Sequence, residues 1–297
     1  IYIMLMYSYG ENFLPNKNQR NGNRGVAEST IKKYKSLIVK VEVFEKYQNK
    51  KISVKDVGLN FIEELDKYFR EIDKLNGNTA GRYIKFIKTV CLWAVGDRGI
   101  KGHPQLNRIR GYSEDADKIY LTIDELDKIE QKEFDSEALR NAKYWLIIGC
   151  YIGQRVSDLL ILNEDSIKVR NDLELIELTQ RKTGKRVSIP LHPKVKNILE
   201  KNNGAFPYKI SDVKFNLHIK EVCKQAEIIE PTIGGKMQTD EIAKITRKEF
   251  GTYPKYELVT SHVCRRSFAS NFYGEIPTSI LISITAHSTE KQFLEYI

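Results

Sequence analysis

Two histidines, an arginine and a tyrosine lie close together in the last part of the sequence. His262 and Arg265 are three positions apart and would share one face of a helix, and His287 is followed nine positions later by Tyr296. An imidazole can move protons near neutral pH, a guanidinium can donate hydrogen bonds to an oxyanion, and a phenol can supply a nucleophilic oxygen. Together these side chains predict a site for phosphoryl transfer without a metal ion.

A second cluster of polar residues follows a long apolar stretch in the middle of the chain. The apolar run at residues 144–152 predicts a buried helix that ends at Gly153, because glycine readily adopts the left-handed conformation found just beyond helix ends. Arg155 and Asp158 come directly after it, in the segment GQRVSDLLIL. Taken alone, this arginine could bind an anion in the site or pair with a surface carboxylate.

Cationic side chains crowd a predicted turn further along the chain. Residues 173–180 and 185–191 alternate as paired strands do, and RKTG between them supplies the turn, with Gly184 as its signal. Lys182 lies at the tip or shoulder of this hairpin, beside Arg181 and Lys185. A lysine here could act as a general acid or simply bind phosphate, and the crowded turn leaves both interpretations open.

These motifs, in this order, resemble the tyrosine recombinase (phage integrase) superfamily. The resemblance covers residues 153–297 at motif level and reaches the earlier part of the chain by architecture only. It implies DNA cleavage through a 3′-phosphotyrosyl intermediate, with no metal and no cofactor. The roles that it implies are phosphate binding by Arg155 and Arg265, support of the site by Asp158, protonation of the leaving 5′ oxygen by Lys182, proton exchange with the attacking Tyr296 by His262, and a hydrogen bond to phosphate from His287.

Two positions depart from the usual pattern of that superfamily. Ala286 stands where glycine usually precedes the second histidine, and Arg266 stands where histidine is common after the second arginine. Neither change removes a reacting group, so we expect them to alter efficiency rather than mechanism.

The first part of the chain carries the excess of positive charge. The net charge of the chain is +9, and residues 1–112 alone contain 21 basic and 11 acidic side chains. Amphipathic patterns predict helices at 29–47, 61–72 and 79–95, and their cationic faces indicate a nucleic-acid partner, although a solvated surface on an unrelated helical bundle is the alternative. The predicted DNA-binding side chains, including two from the hairpin, are Lys32, Lys33, Lys35, Arg82, Lys85, Lys88, Arg181 and Lys185.

The expected fold is mainly α-helical with a small antiparallel β-sheet. The predicted domains are a helical, SAM-like core DNA-binding domain at 1–101, a linker at 102–118 and a tyrosine recombinase catalytic domain at 119–297. In the catalytic domain, Thr122 and Glu125 predict a capping box, and helices are expected at 193–201 and 211–226. Residues 230–259 show little periodicity and are interpreted as a long loop, partly helical at 241–250.

Composition limits the compartment and the partners. The four cysteines are scattered and fit neither a zinc site nor a disulfide scaffold, and no apolar run is long enough to span a bilayer. We therefore expect a cytoplasmic protein, without a membrane association, that acts on double-stranded DNA. The resemblance implies a homotetramer on DNA, an accessory DNA-bending factor as a further partner, and a role in integrating or excising a mobile element.

Without DNA we expect a monomer in which the Tyr296 segment is mobile or lies away from Arg155 and Arg265. Two alternatives to a recombinase remain at this point. One is a DNA-binding relative that has lost catalysis, which would form no covalent DNA adduct. The other is a monomeric topoisomerase of type IB, which would share the chemistry but would not bring two duplexes together.

Overall fold

The computed structural model describes Tyr9 and residues 28–115, 118–240 and 245–297. The chain divides into two compact units, Ile1–Asp115 and Ala116–Ile297. The boundary falls inside the stretch predicted as a linker, and part of that stretch belongs to the first unit. Leu106 and Ile109, on and beside a short 3-10 helix, are buried in the core of that unit.

The described part of the first unit is helical. Its helices are α1 (Glu28–Tyr47), α2 (Leu59–Lys67), which continues as a π-helical turn (Tyr68–Ile72), and α3 (Gly77–Arg98), with 3-10 helices at Val54–Asp56 and Leu106–Arg108. Helix α3 begins where the side chain of Asn76 accepts a hydrogen bond from the backbone of Thr79, and it ends at Gly99 in the left-handed conformation. The apolar stripes of these helices meet in one core, which confirms the helices predicted from periodicity.

The second unit is larger and mixes helices with two antiparallel sheets. Its helices are α4 (Ile123–Gln131), α5 (Glu137–Ile152), α6 (Val156–Leu159), α7 (Pro193–Lys201), α8 (Asp212–Gln225), α9 (Lys255–Leu258), α10 (His262–Phe272), α11 (Thr278–Thr285) and α12 (Glu290–Leu294). The predicted capping box is present at the start of α4, where Thr122 and Glu125 each bond the other's backbone N–H.

Helix α5 is the central helix of this unit and packs closely against α10. Gly149 permits that approach, because a Cβ on it would lie 2.8 Å from the Sγ of Cys264. Gly153 ends the helix in the left-handed conformation with φ of 67°, as predicted, and a Cβ there would lie 2.4 Å from the ring of Phe268. These two glycines fix the distance between the helix that precedes Arg155 and the helix that carries Arg265.

A three-stranded antiparallel sheet carries the predicted hairpin. Its strands are β1 (Ile167–Arg170), β2 (Leu173–Thr179) and β3 (Arg186–Pro190), in the order β1-β2-β3. Ile176 pairs with Ile189, and both side chains are buried against the helices. The predicted hairpin is thus present, whereas β1 was not predicted because three of its four residues are exposed and give no apolar alternation.

The interpretation of residues 230–259 as a partly helical loop is wrong. The segment forms a two-stranded antiparallel ribbon, β4 (Pro231–Asp240) and β5 (Ile245–Pro254). Apolar periodicity missed it because Gly234, not a large apolar residue, faces the helices: a Cβ on it would lie 2.8 Å from Leu258. The large apolar residues Met237 and Phe250 are instead exposed on the other face.

The predicted fold class is confirmed, since helices predominate and the sheets are small and antiparallel. In the described part of the chain, no helix combines the length and the apolar character that crossing a membrane requires.

Candidate active site

Helix α10 places His262 and Arg265 on one face, as their spacing predicts. The start of the helix is held by α8, because the side-chain oxygen of Asn216 accepts a hydrogen bond from the backbone of Ser261 at 2.7 Å. Arg265 is 1% exposed, and its Nη1 donates to the carbonyl oxygen of Gly153 at 3.1 Å. Its Nη2 is buried and forms no hydrogen bond of normal geometry among the described residues, although the nearby phenol of Tyr296 also favours the charged form of Arg265. A buried donor of this kind is costly to leave unpaired, so the site is prepared for an acceptor.

Arg155 approaches the same place from the turn after α5. Its Nη1 donates to the Oε1 of Gln180 at 3.0 Å, and Gln180, which is fully buried, lies just before the hairpin turn. The Nε2 of Gln180 donates to the Oε1 of Gln154 at 2.8 Å, and Gln154 in turn donates to the carbonyl oxygen of Ile284 at 3.0 Å. This chain of amides ties the arginine to the hairpin and to the helix that precedes His287.

Asp158 lies in α6, close enough to Arg265 for its charge to act on that side chain. It is fully buried, and its Oδ1 accepts a hydrogen bond from the backbone N–H of Arg181 at 3.0 Å. Its negative charge also favours the charged form of Arg265. Asp158 therefore fixes the beginning of the hairpin turn and partly balances the positive charge of the site.

Tyr296 lies inside this arrangement, and the expectation that it lies away from the arginines is wrong. Its hydroxyl is 2.9 Å from the Nε2 of His262, and its ring centroid is 6.0 Å from the guanidinium carbon of Arg265. The physical reason is the anchoring of α12 by Phe293, which is fully buried and packs against the rings of His287 and Tyr273. The nucleophile of the resemblance and its proton acceptor are thus in contact within one chain.

His287 has its ring oriented by a threonine. The hydroxyl of Thr285 donates to the carbonyl oxygen of Leu281 at 2.5 Å, so it has no second hydrogen to give to the Nδ1 of His287, which lies 2.9 Å away. The hydrogen therefore resides on Nδ1, and the Nε2 of the neutral ring is an acceptor. His287 can donate from Nε2 to a phosphate oxygen only when the imidazole is protonated.

Burial and like charge set the electrostatics of the site. Burial lowers the pKa of His262 to about 4, with further lowering by Arg266, Arg265 and other cations, although the residue as a whole keeps an exposed surface. Burial likewise lowers the pKa of His287 to about 4, again with help from the arginines. Both imidazoles are therefore neutral at pH 7 in the DNA-free protein, and His262 is available as a proton acceptor.

The phenol and the second arginine are strongly affected as well. Burial raises the pKa of Tyr296 to about 12, against the lowering effect of the arginines around it. Burial and the charge of Arg155 lower the pKa of Arg265 to about 10. An arginine whose charged form is disfavoured by burial and by a second guanidinium indicates a site that an anion would stabilise.

Lys182 lies on the exposed turn of the hairpin, with Arg181 and Lys185 also exposed. The positive charge of Lys182 contributes to lowering the pKa of His262, and that of Lys185 contributes at His287. The structure thus brings the hairpin cations near the site without a direct contact to the tyrosine among the described hydrogen bonds. Their exposure leaves them able to reach a bound DNA strand.

The predicted DNA-binding side chains of the first unit have different surroundings. Lys32, Lys33 and Lys35 are exposed on α1, where Lys32 pairs with Glu28 at 2.9 Å, and Arg82 and Lys85 are exposed on α3. Lys88 differs, because its Nζ donates to the carbonyl oxygens of Asn107 and Ile109 at 3.0 and 2.7 Å. It holds the 3-10 segment against α3, which is a structural contact.

Sequence reasoning missed three residues that orient the site: Gln154, Gln180 and Thr285. Gln154 and Gln180 are polar residues directly after an apolar run and directly before a turn. A buried glutamine must have hydrogen-bond partners, so its place beside the predicted arginine and lysine was the available signal. Thr285 gave no comparable signal, because threonine at the end of a helix is common.

Comparison with known proteins places this geometry in context. Residues 7–109 match the phage integrase SAM-like domain family. Lambda integrase, solved as a dimer bound to a COC′ core site, is 18% identical, with a TM-score of 0.65 over 96% of this chain and 93% of that one. The Tn1549 transposon integrase, in complex with transposon right end DNA, is 15% identical, with a TM-score of 0.65 over 98% of this chain and 94% of that one.

A third solved structure, the XerH site-specific recombinase bound to difH substrate, is 14% identical, with a TM-score of 0.59 over 96% of this chain and 79% of that one. A comparison with curated proteins finds no match. At these identities the likeness concerns the fold, and the chain has the architecture of the solved tyrosine recombinases, with residues 7–109 matching the SAM-like domain family. The resemblance drawn from the sequence motifs is confirmed at this level.

Proposed function

We propose that this chain, which has the tyrosine recombinase fold, is a site-specific DNA recombinase that uses Tyr296 to cleave and rejoin DNA strands. One observation carries the proposal. Arg155 and the buried Arg265 repel one another's charge, and an unpaired donor of Arg265 lies beside a tyrosine whose hydroxyl contacts a neutral histidine. This arrangement suits an anion with an electrophilic centre, such as a DNA phosphodiester.

In the cleavage step the phenol oxygen of Tyr296 attacks the scissile phosphorus. His262 accepts the phenolic proton through its Nε2, which already lies 2.9 Å from the hydroxyl. Arg155 and Arg265 hold the nonbridging oxygens and offset the charge that develops on them. The bond from phosphorus to the 5′ oxygen breaks, Lys182 protonates that oxygen, and the 3′ end stays on the tyrosine as a phosphodiester.

Rejoining reverses the step on a new partner. A 5′ hydroxyl from another strand gives its proton to Lys182 and attacks the phosphotyrosyl phosphorus, and the phenol leaves and receives a proton from His262. Because one phosphodiester replaces another, the bond energy is kept in the intermediate and the chemistry requires no nucleotide hydrolysis. His287, once protonated, donates from Nε2 to a phosphate oxygen in both directions.

The proposed function also implies partners for this chain. Lambda integrase has been solved as a dimer on a core site and as a tetramer on a Holliday junction, and the Tn1549 protein is a transposon integrase. We propose that this chain binds double-stranded DNA in the same manner, assembles as a tetramer on paired sites and moves a mobile element, with an accessory DNA-bending factor where the sites require one.

The test is a covalent trap on nicked duplexes prepared from the DNA that flanks the coding region. With a nick close to the scissile phosphate, cleavage releases a short fragment that carries the 5′ hydroxyl. This fragment diffuses away, so the phosphotyrosyl adduct accumulates. We expect an adduct with the parent protein and none with Tyr296→Phe, while both proteins bind the duplex equally, because the ring remains and no charge is lost. Tyr208→Phe, which alters an exposed tyrosine remote in sequence from the site, is the matched control and should form the adduct.

Peptide mapping of the adduct identifies the nucleophile directly. An adduct that persists in Tyr296→Phe, or one mapped to Tyr273, would overturn the assignment of the nucleophile. Binding without any adduct in the parent protein would favour the DNA-binding relative that lacks catalysis. An adduct without the joining of two duplexes would favour the topoisomerase.

A further inference from the structure

We infer that Arg266 serves as the electrostatic partner of the nucleophile, stabilising the phenolate form of Tyr296 while Arg155 and Arg265 bind the phosphate. This assignment rests on the proposed function, and the motifs that resemble the tyrosine recombinases do not supply it. Arg266 stands instead at a position where the sequence departs from their usual pattern.

The geometry of α10 directs Arg266 to the tyrosine. His262 and Arg266 are four positions apart on the helix, so both side chains reach toward the same neighbouring surface. The guanidinium carbon of Arg266 is 5.7 Å from the centroid of the Tyr296 ring, and that of Arg265 is 6.0 Å from it. A cation at this distance attracts the neutral ring and attracts the phenolate more strongly.

Under this inference, Arg265 and Arg266 have different roles once DNA is bound. Arg265 already donates to the carbonyl oxygen of Gly153, and its unpaired Nη2 is available to a phosphate oxygen. A phosphate bound there neutralises much of the positive charge that Arg155 and Arg265 present to the phenol. The phosphate also adds a negative charge beside the developing phenolate, which makes the phenolate harder to form. A further cation next to the ring offsets this effect.

The charged and titratable groups that face the phenol come from several elements. Helix α10 contributes His262, Cys264, Arg265 and Arg266, and the turn after α5 contributes Arg155. The turn after α11 contributes His287, whose ring centroid lies 5.0 Å from that of Tyr296. The two imidazoles are neutral at pH 7, and burial raises the pKa of Tyr296 while Arg265, Arg266 and Arg155 lower it. The arginines are thus the groups whose charge opposes the effect of burial.

The test measures the phenol itself, without DNA, and so does not depend on activity. A fluorinated tyrosine at position 296, which ionises at lower pH than tyrosine, is titrated by fluorine NMR in the full-length protein. We expect Arg266→Gln to raise the midpoint by about one pH unit, a tenfold change in the acid dissociation constant. Arg266→Lys, which keeps the charge, should stay closer to the parent. Lys168→Gln, which removes an exposed positive charge from β1, should leave the midpoint unchanged.

A second measurement carries the inference to the reaction. With a substrate that has sulfur in place of the leaving 5′ oxygen, departure is easy and the rate of adduct formation reports the attack by the phenol. The pH profile of Arg266→Gln at saturating DNA should move to higher pH, with about tenfold slower attack at neutral pH, and Arg266→Lys should restore most of the rate. Arg266→Met, which retains the aliphatic stem, replaces the glutamine variant if that variant does not fold.

The outcomes separate the inference from the proposed function. A fluorotyrosine midpoint in Arg266→Gln equal to that of the parent overturns the inference even if the protein recombines DNA. A slower adduct rate with an unmoved pH profile also overturns it, because this pattern belongs to a residue that only binds DNA or holds the fold. A midpoint that is higher in Arg266→Gln than in the parent, together with a parent protein that forms no adduct, supports the electrostatic role and refutes the proposed function.

Discussion

The guanidinium of Arg155 donates a hydrogen bond to the buried side-chain amide of Gln180 across 3.0 Å. That amide also donates to Gln154, so the arginine is held by a group with few other orientations open to it. We expect Gln180→Leu to slow strand cleavage by about 10- to 100-fold, because misplacing a reacting group by about an ångström has effects of this size. Duplex binding should change little, since no charge is lost.

The same substitution should also lower stability. It leaves the Oε1 of Gln154 without its donor in a buried place, at a cost of about 1–3 kcal/mol in the free energy of unfolding. Cleavage rates and urea denaturation measure the two effects, and Gln225→Leu, at an exposed glutamine of α8, is the matched control. Full cleavage by Gln180→Leu would show that Arg155 is positioned by other contacts.

Stability should decrease in mild acid because both active-site histidines resist protonation in the folded protein. Their pKa values are lowered from 6.5 to about 4, chiefly by burial, so between these values the unfolded chain binds protons that the folded chain does not. The free energy of unfolding therefore falls as the pH drops through that window. Urea midpoints measured at several pH values should show a flatter decline for the double variant with His262→Gln and His287→Gln than for the parent, and parallel declines would contradict this account.

DNA binding should draw a proton onto His287. The hydroxyl of Thr285 fixes the hydrogen of the neutral ring on Nδ1, so a hydrogen bond from Nε2 to phosphate requires a second proton, and a bound phosphate raises the pKa of the ring. Affinity for duplex DNA should therefore rise as the pH falls toward about 4, the pKa of the ring in the DNA-free protein. Calorimetry in buffers with different ionisation enthalpies measures the proton uptake directly. His287→Gln should reduce the uptake, and an unchanged value would assign the proton to another group.

The left-handed conformation of Ala286 should make its replacement by glycine stabilising. Ala286 has φ of 48° at the end of α11, a conformation that costs about 1–2 kcal/mol for a residue with a side chain. Glycine relieves this strain, but its greater conformational freedom in the unfolded chain cancels about half of the stabilisation. We expect Ala286→Gly to raise the free energy of unfolding by about 0.5–1 kcal/mol. Ala226→Gly is the control with the opposite sign, because Ala226 ends α8 with φ of −82° and gains nothing from glycine.

The cations of α3 should divide into DNA ligands and a structural residue. Replacing both Arg82 and Lys85 by glutamine should weaken duplex binding and lower the slope of log affinity against log salt by about 2, since each lost phosphate contact contributes about 1. Lys88→Met should leave that slope unchanged and reduce stability, because its ammonium holds the carbonyls of Asn107 and Ile109. A salt slope that falls in Lys88→Met would return this lysine to the DNA-binding set.

Patterns of local origin were predictable from the sequence. Helix periodicity, the Thr122 capping box, the end of α5 at Gly153 and the β2–β3 hairpin all depend on residues that are neighbours along the chain. The His262–Arg265 pair was predictable for the same reason, because helical spacing alone puts the two side chains on one face.

What could not be predicted depends on contacts between distant segments. In the β4–β5 ribbon, glycine faces the helices and large apolar side chains face solvent. The alternation of apolar and polar residues is therefore the reverse of that in a half-buried strand. The docking of Tyr296 against His262 depends on where Phe293 is buried, and the amide chain through Gln154 and Gln180 spans three elements. No spacing rule along one segment contains these relationships.

The contact between Tyr296 and His262 bears on whether one active site would draw its residues from one subunit or from two. The nucleophile, its proton acceptor and Arg265 all belong to one chain and already lie together. If the proposed function holds, each subunit cleaves DNA in cis, so two subunits disabled at different residues of the site should not complement each other when mixed. Under the proposed function, neighbouring subunits would control when a cleaved strand is released and which strand it joins, while each subunit carries out its own cleavage.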